Sequence, residues 1–230
     1  MYFDPLYLIM VLPAFLLSAW ASWATRSRFE TWSRVANLEG LSGADVARYL
    51  LDRNGLSSVE VVPVRGNLSD HYDPRTRVVR LSEAVFYDRS VASMAVAAHE
   101  TGHAIQHARG YAPLALRSLA VPLATLGSNL GMIIIVVGFL LSFTQLVWVG
   151  IVLFGGTVAF QLVTLPVELD ASSRAKAELM RLNMVSAEEQ RGVSAVLTAA
   201  AMTYVGAALS ALSTLAYYVL RASALSDRRR

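Results

Sequence analysis

The chain has 230 residues, of which 55% are hydrophobic and 16% charged, and its mean hydropathy is +0.46, a balance too apolar for an ordinary soluble domain. Twenty Lys+Arg against seventeen Asp+Glu leave a formal net charge of +3, too slight an excess for a dedicated nucleic-acid binder, and Lys176 is the only lysine. The absence of cysteine excludes disulfide frameworks, Cys-ligated zinc and iron–sulfur clusters, so any metal site must be built from His, Asp or Glu.

Residues 6–24 form an almost uncharged apolar run containing Tyr7, Trp20 and Trp23, with Arg26 and Arg28 directly after it. The positive charge follows the run rather than preceding it, so it is read as a retained membrane helix and not as a signal peptide. The segment that follows begins with Ser42 and Asp45, a helix-capping pair, and an apolar stripe of Val46, Tyr49 and Leu50 that Gly55 ends. The β-branched run 59–64 and the group Val78, Val79 and Leu81 predict two strands of a small hairpin or ribbon, with a turn at Asp73 and Pro74. Ser90 opens a strongly helical stretch, VASMAVAAHETGHAIQHARG, which Gly110 closes.

Residues 119–141 and 146–165 are two further charge-free runs, each long enough for a hydrocarbon core of about 30 Å, with only residues 142–145 as a turn between them. A fourth apolar segment, 195–220, carries Thr203, Gly206, Ser210, Ser213 and Thr214, small residues that suit helix–helix contact. The predicted fold class is therefore mainly α: an integral membrane protein of about four spans with a small α+β catalytic unit and a short β-ribbon. With no repeat, low-complexity tract or flexible linker, residues 1–230 read as one membrane-embedded domain whose hydrophilic segments are 26–118 and 166–193.

Those two segments carry sixteen of the twenty bases and are expected to share the cytoplasmic face. Four spans place the tail opposite, where Arg221, Arg228, Arg229 and Arg230 conflict with the same rule.

The chemistry is carried by His99-Glu100-Thr101-Gly102-His103, an H-E-x-x-H string within a predicted helix. Residues four apart share a helix face, so His99 and His103 can both present ring nitrogens about 2.0–2.1 Å from one metal. Glu100 can reach a metal-bound water without being a ligand and is the expected general base. A catalytic zinc normally has three protein ligands. His107 is one turn further along the helix, but no glycine turn leads to it as in metzincins, and it is expected to lie outside the ligand set. The stretch PVELDASSRA, residues 166–175, offers Glu168 and Asp170 where the chain leaves the third span, although two acids there are equally compatible with an ordinary charged helix start.

AAHETGHAIQH, preceded by LSDHYDPRTRVVRLS and followed after a membrane hairpin by PVELDASSRA, resembles the YugP family of bacterial membrane zinc metallopeptidases. It is also similar to the broader gluzincin class, in which a glutamate on a second helix completes a His-His-Glu site. The resemblance implies one Zn2+ per chain, Glu168 as third ligand and Ala171 at a close-packed position one turn later. Where the membrane relatives commonly have an aspartate after that alanine, this chain has Ser172. Asp170 is accordingly the candidate for orienting one histidine through its other ring N–H, and is also the alternative ligand to Glu168.

Around this set, His71 belongs to the polar turn 70–74, and residues 77–81 are expected to form an edge strand along which a peptide could align. Tyr204, His71, Tyr72 and Arg174 are the residue types able to stabilise a carbonyl oxygen. The expected activity is a zinc endopeptidase of the bacterial inner membrane, multi-pass, acting on polypeptides that include membrane proteins, with lipid as its surroundings and no nucleic-acid partner. The competing readings are a non-proteolytic zinc-binding membrane scaffold or regulator and, on the spans alone, a transporter; the three clearest spans contain no charge pair that transport would call for.

Overall fold

The structure is a computed structural model that describes residues 4–227; Arg228, Arg229 and Arg230, part of the carboxy-terminal charge, lie outside the described residues. In chain order the elements are α1 (Pro5–Ser33), α2 (Gly43–Arg53), β1 (Glu60–Val64), β2 (His71–Asp73), β3 (Val78–Ser82), α3 (Glu83–Phe86), α4 (Val91–Ala108), α5 (Ala112–Leu126), a π-helical turn (Gly127–Gly131), α6 (Met132–Leu140), α7 (Thr144–Arg181) and α8 (Ala187–Asp227). Among the described residues, four helices are long and apolar enough to cross a membrane: α1, the run from α5 to α6, α7 and α8. The chain falls into two compact units, one of Met1–Ala21, Ala115–Pro166 and Met202–Arg230, the other of Ser22–Leu114 and Val167–Ala201.

In the first unit the apolar helices approach one another through small residues. A Cβ on Gly127 would meet the Leu153 carbonyl oxygen at 2.3 Å, one on Gly138 the Val147 backbone nitrogen at 2.8 Å, and one on Gly150 the Ile135 nitrogen at 2.7 Å. These pairs fix α5–α6 and α7 as an antiparallel hairpin, turned at residues 141–143. The first part of α1 and the last part of α8 pair in the same way: Ser18 and Ser210 share a 3.1 Å hydrogen bond, and Gly206 faces the Ser18 backbone. At the far end of that pair, Tyr217 donates to Asp4 at 2.8 Å and Arg221 lies 3.3 Å from the same carboxylate. Arg221, the described base of the tail, is thus paired with an acid, which weakens its conflict with the charge rule. The outer faces remain apolar, with Ile9, Leu119, Leu140 and Val152 each more than 70% exposed, as lipid-facing positions require.

The second unit has its own core, built from Val46, Leu50 and Leu51 of α2, Val79 and Leu81 of β3, Met94 and Ala95 of α4, and Leu179 and Val196 of the last two helices. Ser42 and Asp45 form the expected reciprocal cap of α2, and Ser90 and Ser93 do the same for α4. The ribbon differs from the expected hairpin. The two predicted strands, β1 and β3, are neighbours but run parallel, and β2 pairs antiparallel with β3 from the other side, giving the order β1-β3-β2. β3 is therefore the buried central strand rather than an edge, and the hairpin joins β2 to β3 through a turn ending at Arg77. Arg77 has φ +56°, the left-handed conformation that glycine adopts more easily. The charged stretch after the third span also differs: Pro166 lies inside α7, so Glu168 and Asp170 are mid-helix and take nothing from a helix start.

Two glycines separate helix propensity from close packing. A Cβ on Gly206 would lie 2.9 Å from the Ser18 Cα, whereas one on Gly155 would have nothing within 4 Å. Gly206→Ala is expected to destabilise the protein by about 1–3 kcal/mol through overpacking, while Gly155→Ala, which gains helix propensity, stays neutral or becomes more stable. Unfolding midpoints of the two variants in the same detergent check this.

Candidate metal centre

α4 carries the H-E-x-x-H string in the second unit, and nearly every residue around it is small or apolar, from Val91 to Ile105. The helix packs against the part of α7 after Pro166 at very short range: a Cβ on Gly102 would lie 2.7 Å from the Ala171 carbonyl oxygen. Gly102 between the two histidines and Ala171 one turn after Glu168 thus let the two backbones approach until side chains from both can meet.

They meet at one oxygen. His99 Nε2 lies 3.2 Å and His103 Nε2 3.5 Å from Glu168 Oε2. The imidazole rings are edge-to-face, with centroids 4.8 Å apart. One ligand atom from each of His99, His103 and Glu168 falls within 4.8 Å of the others, the group among the described residues that could hold a metal. The outer ring nitrogens are also engaged: His99 Nδ1 is 3.2 Å from Ser172 Oγ, and His103 Nδ1 is 2.9 Å from Gln106 Oε1. Because a Gln oxygen only accepts, His103 donates its Nδ1–H to Gln106, and loss of the Nε2 proton would leave that nitrogen's lone pair for a metal. Two imidazole nitrogens and a carboxylate oxygen, nearly buried and convergent, fit a zinc ion.

Electrostatics follow from burial. Glu168 is 1% exposed. Burial works against its charge, but hydrogen bonds from His103 and His99 outweigh it and hold the carboxyl below the usual range. For His103 burial opposes the charged ring, and Glu168 and Glu100 more than offset it. Glu100 is 7% exposed and makes no hydrogen bond to any described residue. Burial pushes its carboxyl up, against the attraction of His99 and His103, and the Asp70 and Glu168 charges add to the rise.

The remaining candidates are dispersed. Asp170 touches neither imidazole: it accepts from Gln106 Nε2 at 2.8 Å and pairs with Arg174. Its link to His103 runs through Gln106, whose amide also donates to the Val167 carbonyl at 2.8 Å. Asp170 also stands outside the ligand group. His107 shares a 2.8 Å hydrogen bond with the Tyr72 hydroxyl, away from the three ligand atoms. His71 is exposed and bonded to the Ser69 carbonyl at 2.8 Å. Arg174 is held by Asp170 and lies over the Tyr111 ring. Tyr204 is half-buried and belongs to the other unit. Asp70 accepts from the Ser82 backbone at 2.7 Å, and burial raises its carboxyl despite that bond.

Gln106 was not legible as a site residue. Its one signal is position: a polar, fully buried side chain three residues after His103, on a helix otherwise lined with alanines. Ser172, which the sequence did not single out for this role, contacts His99 itself.

Residues 7–223 match the family model described as "Putative neutral zinc metallopeptidase". The chain is 46% identical over 215 residues to "Putative membrane protease YugP" of Bacillus subtilis (strain 168), covering 94% of this chain and 96% of that protein. No solved structure matches. With a family model spanning almost the whole chain and a relative matched along nearly its full length, this membrane protein belongs to the neutral zinc metallopeptidase family of which YugP is a member.

Proposed function

We propose that the chain is an integral membrane endopeptidase in which His99, His103 and Glu168 hold one Zn2+ and Glu100 is the general base, with all four spans and both hydrophilic segments acting as one peptidase. The observation that supports this reading is the convergence of the three ligand atoms beside a buried carboxylate that has no hydrogen bond to a described residue. When bound, zinc polarises the scissile carbonyl and acidifies a water. Glu100 takes a proton from the attacking water as its oxygen bonds to the carbonyl carbon, and returns that proton to the amide nitrogen as the C–N bond breaks. The raised basicity that burial gives Glu100 suits both transfers. Gln106 and Ser172 fix the two rings, so that little reorganisation is needed when the site is loaded.

The substrate class is polypeptide, including membrane and membrane-proximal proteins. Support comes from the sequence, since Glu168 follows the apolar segment 146–165 by three residues. An extended peptide has the outer edge of β2 available for pairing, β3 being occupied on both sides. The enzyme is placed in the bacterial plasma membrane with the site on the cytoplasmic side, because sixteen of the twenty bases lie in the two hydrophilic segments.

Three outcomes are expected. Detergent-purified protein contains close to one zinc per chain; Glu168→Ala loses it, and Glu100→Gln keeps zinc while losing cleavage of an unfolded protein by about 10²-fold or more, as read by elemental analysis and gel assay on the same samples. Zinc without any cleavage would instead favour the scaffold reading. Gln106→Ala weakens zinc affinity by about 10- to 100-fold in a chelator competition, without abolishing folding. In intact cells Ser58→Cys and Ser186→Cys resist an impermeant thiol reagent and react only after permeabilisation; labelling from outside would reverse the orientation.

A further inference from the structure

We propose that the cleft beside the last turn of α4 is a carboxylate-binding subsite, which reads an acidic side chain or the terminal carboxylate of a bound peptide. The inference rests on the peptidase reading above.

The cleft has a volume of about 250 Å³; Leu56, Val59 and Ala104 supply apolar walls, and Tyr72, Arg77 and His107 supply polar ones. No carboxylate lines it. Tyr72 and His107 satisfy each other through their 2.8 Å hydrogen bond. The Arg77 guanidinium, by contrast, has no hydrogen bond or ion pair with any described residue. Its neighbour in the same hairpin, Arg80, is matched to Asp73 at 3.1 Å, and Arg48 is matched to Asp52. Arg77 is exposed at the mouth of the cleft, and its planar fork of donors is suited to bidentate binding of a carboxylate.

Backbone conformation makes the placement of Arg77 specific. The residue occupies a left-handed position at φ +56° where glycine or asparagine would be less strained, immediately before β3. The cost of that conformation is borne by a residue whose side chain lines the cleft and has no hydrogen bond or ion pair with a described residue. The cleft is also close to the proposed chemistry. His107 is one turn beyond His103, about 6 Å along the helix axis. That distance is about two residues of extended peptide at roughly 3.3 Å each. Tyr72 belongs to β2, so a peptide paired to the free edge of that strand passes a residue that also lines the cleft.

The test uses full-length, zinc-loaded protein in detergent carrying Glu100→Gln, so that bound peptide is not turned over. Fluorescent octapeptides of one neutral sequence carry a single Glu at each position in turn, or Gln as its neutral match, each with a free or an amidated carboxy terminus; anisotropy gives Kd. One Glu register, or the free terminus, is expected to bind about tenfold more tightly than its neutral counterpart. Adding Arg77→Gly, which suits the backbone at this position, should reduce that gap to less than about threefold, and Arg77→Lys should restore part of it. Retained zinc content shows that the variants are folded. A Glu-over-Gln preference identifies a side chain, and an acid-over-amide preference a terminus. The subsite is overturned by equal binding of charged and neutral peptides, by a preference that survives Arg77→Gly, or by no peptide binding at all. Cleavage of the same peptides without Glu100→Gln judges the peptidase separately: cutting with no charge preference removes only the subsite, and a charge preference with no cutting removes only the peptidase.

Discussion

A carboxylate buried between two imidazoles is the constraint on which the second unit depends. Glu168 is 1% exposed, and an isolated charge at such a position would cost several kcal/mol. His99 and His103 offset that cost by meeting one of its oxygens from α4, and they can do so only because Gly102 and Ala171 allow α4 and α7 to touch backbone to backbone. Each ring is then secured on its far side, His99 by Ser172 and His103 by Gln106. The result is a preorganised set of nitrogen and oxygen donors whose geometry is determined by helix packing rather than by a loop.

The same device operates in the membrane unit for a different reason. Lipid offers apolar helices no hydrophobic drive to associate, so close backbone approach and a few hydrogen bonds must hold them. Glycines 127, 138 and 150 supply the approach between α5–α6 and α7, and the Ser18–Ser210 bond with the Asp4–Tyr217–Arg221 cluster ties α1 to α8. Small residues therefore carry both halves of the molecule. In one they bring apolar helices into contact, and in the other they bring the proposed metal ligands together.

Much of this was legible because it is local. The capping pairs at Ser42 and Ser90 and the i, i+4 relation of His99 and His103 involve residues a few positions apart, and the apolar segments 6–24, 119–141, 146–165 and 195–220 reveal themselves by length and composition. The strands were found but not their pairing. The apolar runs of β1 and β3 carry no record of strand direction, and the three residues of β2 are too few to show a period. Residues 166–175 were read with a helix start as one option because two acids favour the positive end of a helix dipole; α7 instead continues through Pro166, so the acids are mid-helix.

What the sequence determined by itself is the kind of protein and the kind of chemistry: four membrane-length apolar runs, and two histidines and a glutamate on one helix with no cysteine to compete for metal. A family resemblance, not spacing, singled out Glu168 over Asp170. Only the tertiary structure decided that Asp170 reaches His103 through Gln106, that Ser172 contacts His99 itself, that His107 turns to Tyr72, and that β3 is buried while β2 is left at the edge. The physical reason is separation along the chain. Helix periodicity and membrane length are written in neighbouring residues, whereas the α7 partners of His99 and of Gln106 lie more than sixty positions away and become neighbours only when two backbones pack at the distance that Gly102 and Ala171 permit.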